Sequence, residues 1–87
     1  MKRFYKEYNV WRRFEKKLVV FKCLEIVPNG GFCVQSSDVY YKGDIENQLK
    51  NHSIQFLELL LDEKPEIRSG IFNTIEEAIC DHEKSLE

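Results

Sequence analysis

Apolar residues crowd two runs, Leu18–Val27 and Phe32–Tyr41, in which β-branched and aromatic types dominate. Between them lies Pro28-Asn29-Gly30-Gly31, where proline presets one dihedral and Asn and Gly tolerate positive φ, so the pattern predicts a β-hairpin. Pairing Ile26 with Phe32 sets Leu24 opposite Val34 and places Leu18, Val20, Leu24, Ile26, Phe32 and Val34 on one face. Phe21, Cys23 and Glu25 then share the other face with Cys33, Gln35 and Ser37. A slip of one residue would mix the two sets. Lys22 interrupts this alternation.

The first seventeen residues satisfy two patterns. Phe4, Tyr8 and Trp11 are spaced as on a helix stripe. Tyr5, Tyr8, Val10, Trp11 and Phe14 equally suit a strand, turned back by Glu15-Lys16-Lys17. Both assignments stand at this point.

Beyond the hairpin the period changes. Ile45, Leu49, Phe56 and Leu60, flanked by Leu57 and Leu61, predict a helix over Asp44–Glu63, with Asp44 as its cap. Asn51-His52-Ser53 interrupts the stripe, so one bent helix and two pieces are both compatible with it. Pro65 ends the element, because a residue before proline is pushed out of helical dihedrals. Lys64–Gly70 predicts a single turn with Pro65 first and Gly70 as its stop, followed by the short apolar link Ile71-Phe72. Thr74-Ile75-Glu76-Glu77 fits a capping box and opens a last helix over Thr74–Leu86, with Ile75, Ala78, Ile79, His82 and Leu86 on its inner face. The expected fold is one small α+β domain over residues 1–87. Its antiparallel sheet has two or three strands, with one hairpin turning at Pro28–Gly31, and is covered on one face by two helices.

Charge changes the picture at the N-terminus. Residues 1–22 carry eight Lys/Arg against Glu7 and Glu15, a balance of +6, while the remaining 65 residues stand at −8 and the chain at −2. Six of the eleven aromatic residues share that basic segment. Such an arm can capture an anionic partner or lie on its own acidic body. The second outcome is the expectation: the rings complete the core, and removing Trp11 costs ~3–5 kcal/mol, as emptying an aromatic core site does.

No apolar run approaches the ~20 residues that span a bilayer, and Arg12 and Arg13 stand where a signal peptide needs its apolar stretch. Three cysteines, Cys23, Cys33 and Cys80, are an odd and sparse set, which points to reduced thiols and a cytoplasmic protein with no membrane association.

Catalytic and metal chemistry find little footing. Cys80 and His82 lie two apart on one predicted helix and diverge around its axis. Cys23, Cys33, Cys80 and His82 lack the short ligand pairs of structural zinc sites. Gly30-Gly31 leads into a strand, whereas a phosphate loop leads into a helix N-terminus. No catalytic residue, cofactor or metal is therefore expected.

Phe72-Asn73-Thr74-Ile75-Glu76-Glu77-Ala78-Ile79 resembles the strand-to-helix step of HicB-like antitoxins and of other small α+β proteins. It covers under a fifth of the chain, the thirty residues before it depart from the HicB arrangement, and no function is carried from it.

The expected function is that of a small non-catalytic intracellular protein, a protein-binding or regulatory module. Its partner would be an unidentified protein or a second copy of itself as a homodimer. The candidate interaction surface is Trp11, Arg12, Arg13, Phe21, Glu25, Gln35 and Ser37. The alternative is a nucleic-acid-binding accessory protein using the basic aromatic N-terminal segment.

Overall fold

The computed structural model describes residues 3–85. Strand β1 (Phe4–Arg13), β2 (Lys17–Val27) and β3 (Phe32–Tyr41) are followed by helices α1 (Ile45–Asp62), α2 (Pro65–Arg68) and α3 (Ile75–Ser85). The sheet is antiparallel in the order β1-β2-β3, with helices packed against β3. The ambiguous N-terminal segment is thus a strand. Its residues pair one for one with β2 from Phe4 opposite Val27 to Arg13 opposite Leu18. Strand wins because alternate residues of β1 find apolar or hydrogen-bonding partners on β2 and on both sides of the sheet. A helix stripe of Phe4, Tyr8 and Trp11 would leave Tyr5 and Val10 unpacked.

The hairpin turns where expected, with Asn29 and Gly31 at positive φ. Its register differs near the turn. The Ile26 N–H donates to the Gly31 carbonyl, so Phe32 falls opposite Glu25, Cys33 opposite Leu24 and Val34 opposite Cys23. An extra residue in β3, Gln35, forms a bulge, and from Lys22 opposite Ser36 onward the pairing is the expected one.

This shift redistributes the faces. Phe21, Cys23 and Val34 form one apolar cluster with Ala78, joined by Tyr8, Val10, Ile75 and Ile79. Leu24 and Cys33 form another with Phe56, joined by Tyr5 and Leu60. Both faces of the sheet are therefore apolar, and each needs cover. Helix α3 lies on the first and α1 on the second, so the two long helices divide over the faces instead of sharing one.

Helix α1 is continuous, and the Asn51-His52-Ser53 interruption does not break it. His52 is where the helix meets a polar patch of β3: its Nδ1 lies 3.5 Å from Asp38 Oδ1 and its Nε2 3.2 Å from the Val39 carbonyl. Asp44 does not cap the helix through a backbone N–H. It adopts a left-handed conformation, φ 51°, which turns its carboxylate to the Asn47 side-chain amide at 3.0 Å. α2 begins at Pro65, as expected. At α3, Thr74 Oγ1 accepts the Glu77 N–H at 3.1 Å and donates to the Glu77 carboxylate at 3.2 Å. Leu86 lies outside the described residues. Thr74→Ala should lower stability by about 1 kcal/mol, the usual effect of losing such a cap, in a chemical denaturation curve.

Candidate functional site

The two edges of the sheet are unlike. On β3 outward-facing backbone groups are taken up at four places along the strand. The Tyr41 N–H donates to Gln48 Oε1 at 2.8 Å while Gln48 Nε2 donates to the Tyr41 carbonyl at 3.0 Å, so one side chain substitutes for a neighbouring strand. His52 lies against the Val39 carbonyl, Ser69 Oγ donates to the Val34 carbonyl at 3.0 Å, and Phe32 exchanges two backbone bonds with Phe72 at 2.8 Å each. A closed edge of this kind resists strand addition.

On β1 the opposite holds. The Phe14 N–H donates to the Lys17 carbonyl at 2.9 Å and fixes the alternation of the β1–β2 ladder. Even-numbered residues of β1 then bond to β2, and Tyr5, Glu7, Asn9, Trp11 and Arg13 direct their N–H and C=O groups outward. Among the described residues, no side chain or segment bonds to these groups. β1 is a ten-residue open edge.

Its side chains are tied down on both faces. Tyr5 donates to Glu66 on α2 at 2.6 Å. That hydrogen bond, with burial and the negative charge of Glu66, pushes the Tyr5 phenol up to about 12, and the same bond holds Glu66 below the usual carboxylate range. Tyr8 donates to Glu25 at 2.9 Å, Arg12 pairs with Glu83 on α3 at 2.7 Å, and Arg3 with Glu66 at 3.4 Å. The basic arm thus meets the acidic body at three points. Trp11 does not join the core: it is 52% exposed, with a tilted ring contact to Tyr40. This corrects the expected core role. Trp11 stands on the α1 side of the sheet at its β1 edge, outside the cluster of Leu24, Cys33 and Phe56.

Trp11–Leu18 forms an exposed tip around the β1–β2 turn. Arg12 and Lys17 each lie 5.1 Å from the Phe14 ring. Beside it Arg13, Lys16, Lys17 and Lys42, with the single acid Glu15, surround a depression of about 300 Å³ lined also by Leu18, Tyr40 and Ile45.

The seven residues expected to form one surface are dispersed. Trp11, Arg12 and Arg13 share the open edge. Phe21 is 4% exposed beneath α3. Gln35, also 4% exposed, is carried by the bulge to the α1 side, where its Nε2 donates to the Phe56 carbonyl at 3.1 Å. Glu25 and Ser37 are half-buried and engaged by Tyr8 and His82. The sheet face expected to be free of helices is covered by α3.

The cysteines and histidines do not converge. Cys23 and Cys33 point to opposite faces, and burial pushes each thiol up to about 11, away from nucleophilic character. Among the described residues no three His, Cys, Asp or Glu side chains could hold a metal together. Ser37 Oγ and His82 Nε2 lie 3.0 Å apart, a pairing that sequence spacing gave no means of finding. His82 also lines a neighbouring polar depression with Arg68 and Asp81.

His82 carries a pH consequence. Burial lowers its pKa from the usual 6.5, outweighing the upward pull of Asp81 and Glu83. Below about pH 6.5 the unfolded chain takes up a proton that the folded one resists, so this contribution is complete above that pH and is lost as the pH falls through the window beneath it. His82→Gln should flatten the fall in melting temperature over that acid range.

No family model matches the chain, and comparison with curated proteins and with solved structures finds no match. Among the described residues no helix is long and apolar enough to cross a membrane.

Proposed function

We propose that this protein is a non-catalytic binding module that takes an extended segment of another protein chain onto the free edge of β1. The asymmetry of the edges carries the reading. Four devices close β3, whereas the outward N–H and C=O groups of β1 carry no comparable protection. Natural sheets blunt their edges unless pairing is wanted, and strand addition supplies affinity through main-chain bonds and specificity through alternate side chains. Here Trp11 and Arg13 stand beside the incoming strand on one face, Arg12 on the other. The module acts in the cytoplasm, where its three thiols stay reduced.

Asn9→Pro tests this cleanly. The Asn9 N–H points outward, so proline removes no bond to β2 but blocks an added strand. Random peptides selected on the wild type should be extended and apolar–polar alternating, and should lose at least about tenfold in affinity on the folded Asn9→Pro variant. Selected peptides that bind both forms equally would overturn the reading.

The cation-lined depression at the tip favours a second reading, a single-stranded nucleic acid whose bases stack on Phe14 and Tyr41. Retention of single-stranded RNA at physiological salt, abolished by Arg12→Glu/Arg13→Glu, would put it first.

A further inference from the structure

We infer that the occupant of the β1 edge is a second copy of this chain, paired β1 to β1 in antiparallel register about a two-fold axis at Val10. The inference rests on the edge reading above and adds partner and register to it.

An antiparallel pair of identical strands must be self-complementary, and only residues with outward backbone groups can exchange bonds. Since those are the odd-numbered residues, only certain registers are open, and charge separates them. Centring on Asn9 sets Lys6 opposite Arg12 twice. Centring on Tyr8 opposes Arg3 and Arg13, and centring on Glu7 opposes the two Glu7 carboxylates. Centring on Trp11 leaves only Asn9–Arg13 in the overlap, because Glu15 and Lys16 lie in the turn beyond β1. Like charges directly opposite each other are destabilising.

Centring on Val10 avoids every one of these conflicts. Val10 meets Val10, Asn9 meets Trp11, and Tyr8 and Lys6 meet Arg12 and Phe14, two cation–ring pairs. Glu7 meets Arg13 on both sides of the axis. Neither group is firmly held within one copy: Glu7 has only a 3.9 Å approach from Lys22, and Arg13 has no ion-pair partner among the described residues. The pairing would add about eight backbone hydrogen bonds and give a continuous six-stranded sheet ending in the closed β3 edges on both sides. Addition at β1 therefore stops at two copies.

The test uses the full chain. The wild type should run in light scattering at micromolar concentration as twice its 10.4 kDa mass. Asn9→Pro should be a folded monomer, and Glu7→Arg and Arg13→Glu should each weaken the dimer at least about tenfold, whereas the double swap Glu7→Arg/Arg13→Glu restores it. Val10→Cys in a Cys80→Ser background should cross-link under mild oxidation, because a non-hydrogen-bonded antiparallel pair brings Cα atoms to about 4.5 Å, within disulfide reach. Tyr8→Cys in the same background should not. A dimer indifferent to Asn9→Pro, or one that cross-links through Tyr8→Cys and not Val10→Cys, overturns the inference. A monomeric wild type that captures peptides in an Asn9-dependent manner overturns it and leaves the edge reading standing. A monomer without such capture removes both.

Discussion

Leu24→Ala should lower the unfolding free energy by about 3 kcal/mol, while Trp11→Ala should cost only about 1 kcal/mol. Leu24 sits on the central strand, 2% exposed, between Cys33, Phe56, Tyr5 and Leu60. Truncating it leaves a cavity walled by two strands and a helix, which cannot collapse without breaking the ladder, so the loss includes both the transfer and the cavity contributions. Trp11 is half in solvent, and its measurable contact is the Tyr40 ring at a centroid distance of 5.8 Å. A tilted aromatic pair of that kind adds about 0.5–1.5 kcal/mol. Urea denaturation of the two variants with the wild type reads the contrast directly. Equal losses would place Trp11 in the core.

The contrast shows where the sequence was legible. The hairpin turn, the proline-started turn and the Thr74 cap are local devices, written within four or five consecutive residues, and each is found where its residues stand. The fate of Trp11 depends on how far α1 extends across the sheet, which nothing near Trp11 encodes. The same holds for the apolar stripe of α1. Leu57 and Leu61 continue it on the helix, yet Leu61 is 88% exposed, because a three-stranded sheet is too narrow to cover so broad a face. The face assignment failed for a related reason. Pairing Ile26 with Phe32 gave the tidier alternation, but Ile26 is bonded into the turn through Gly31, and the slip is absorbed by a bulge at Gln35 that has no sequence signature of its own. Of the expected surface, Trp11, Arg12 and Arg13 survive as neighbours because they belong to one edge. Phe21 lies beneath α3, and the bulge turns Gln35 to the opposite face, against Phe56 of α1. The contact of His52 with β3 is hidden in an apparent interruption of the helix stripe, and Gln48 reaches Tyr41 from a polar position that carries no signal of its own.

That interruption leads to the second large effect. His52→Ala should destabilise the protein by about 3 kcal/mol, because it removes a packed ring and leaves the buried Asp38 side chain without its nearest polar partner. Asp38 is 8% exposed, and its Oδ2 has no hydrogen-bond partner among the described residues, so the approach of His52 Nδ1 to Oδ1 is its main compensation. His52 also lies against the Val39 carbonyl and edge-on to the Tyr40 ring, 4.8 Å between centroids. The carboxylate and the packing contributions separate in a double-mutant cycle. Asp38→Val puts a β-branched apolar residue at a buried strand position and removes the group that needs a partner, while His52 keeps its contacts to the Val39 carbonyl and the Tyr40 ring, so on its own it should be close to neutral. In that background His52→Ala should cost only about 1 kcal/mol, a coupling of about 2 kcal/mol between the two sites. The single loss and the coupling together would identify His52 as the residue that allows a carboxylate beneath α1. If His52→Ala costs the same in both backgrounds, its role is confined to closing the β3 edge and packing on Tyr40, and Asp38 is satisfied by other means.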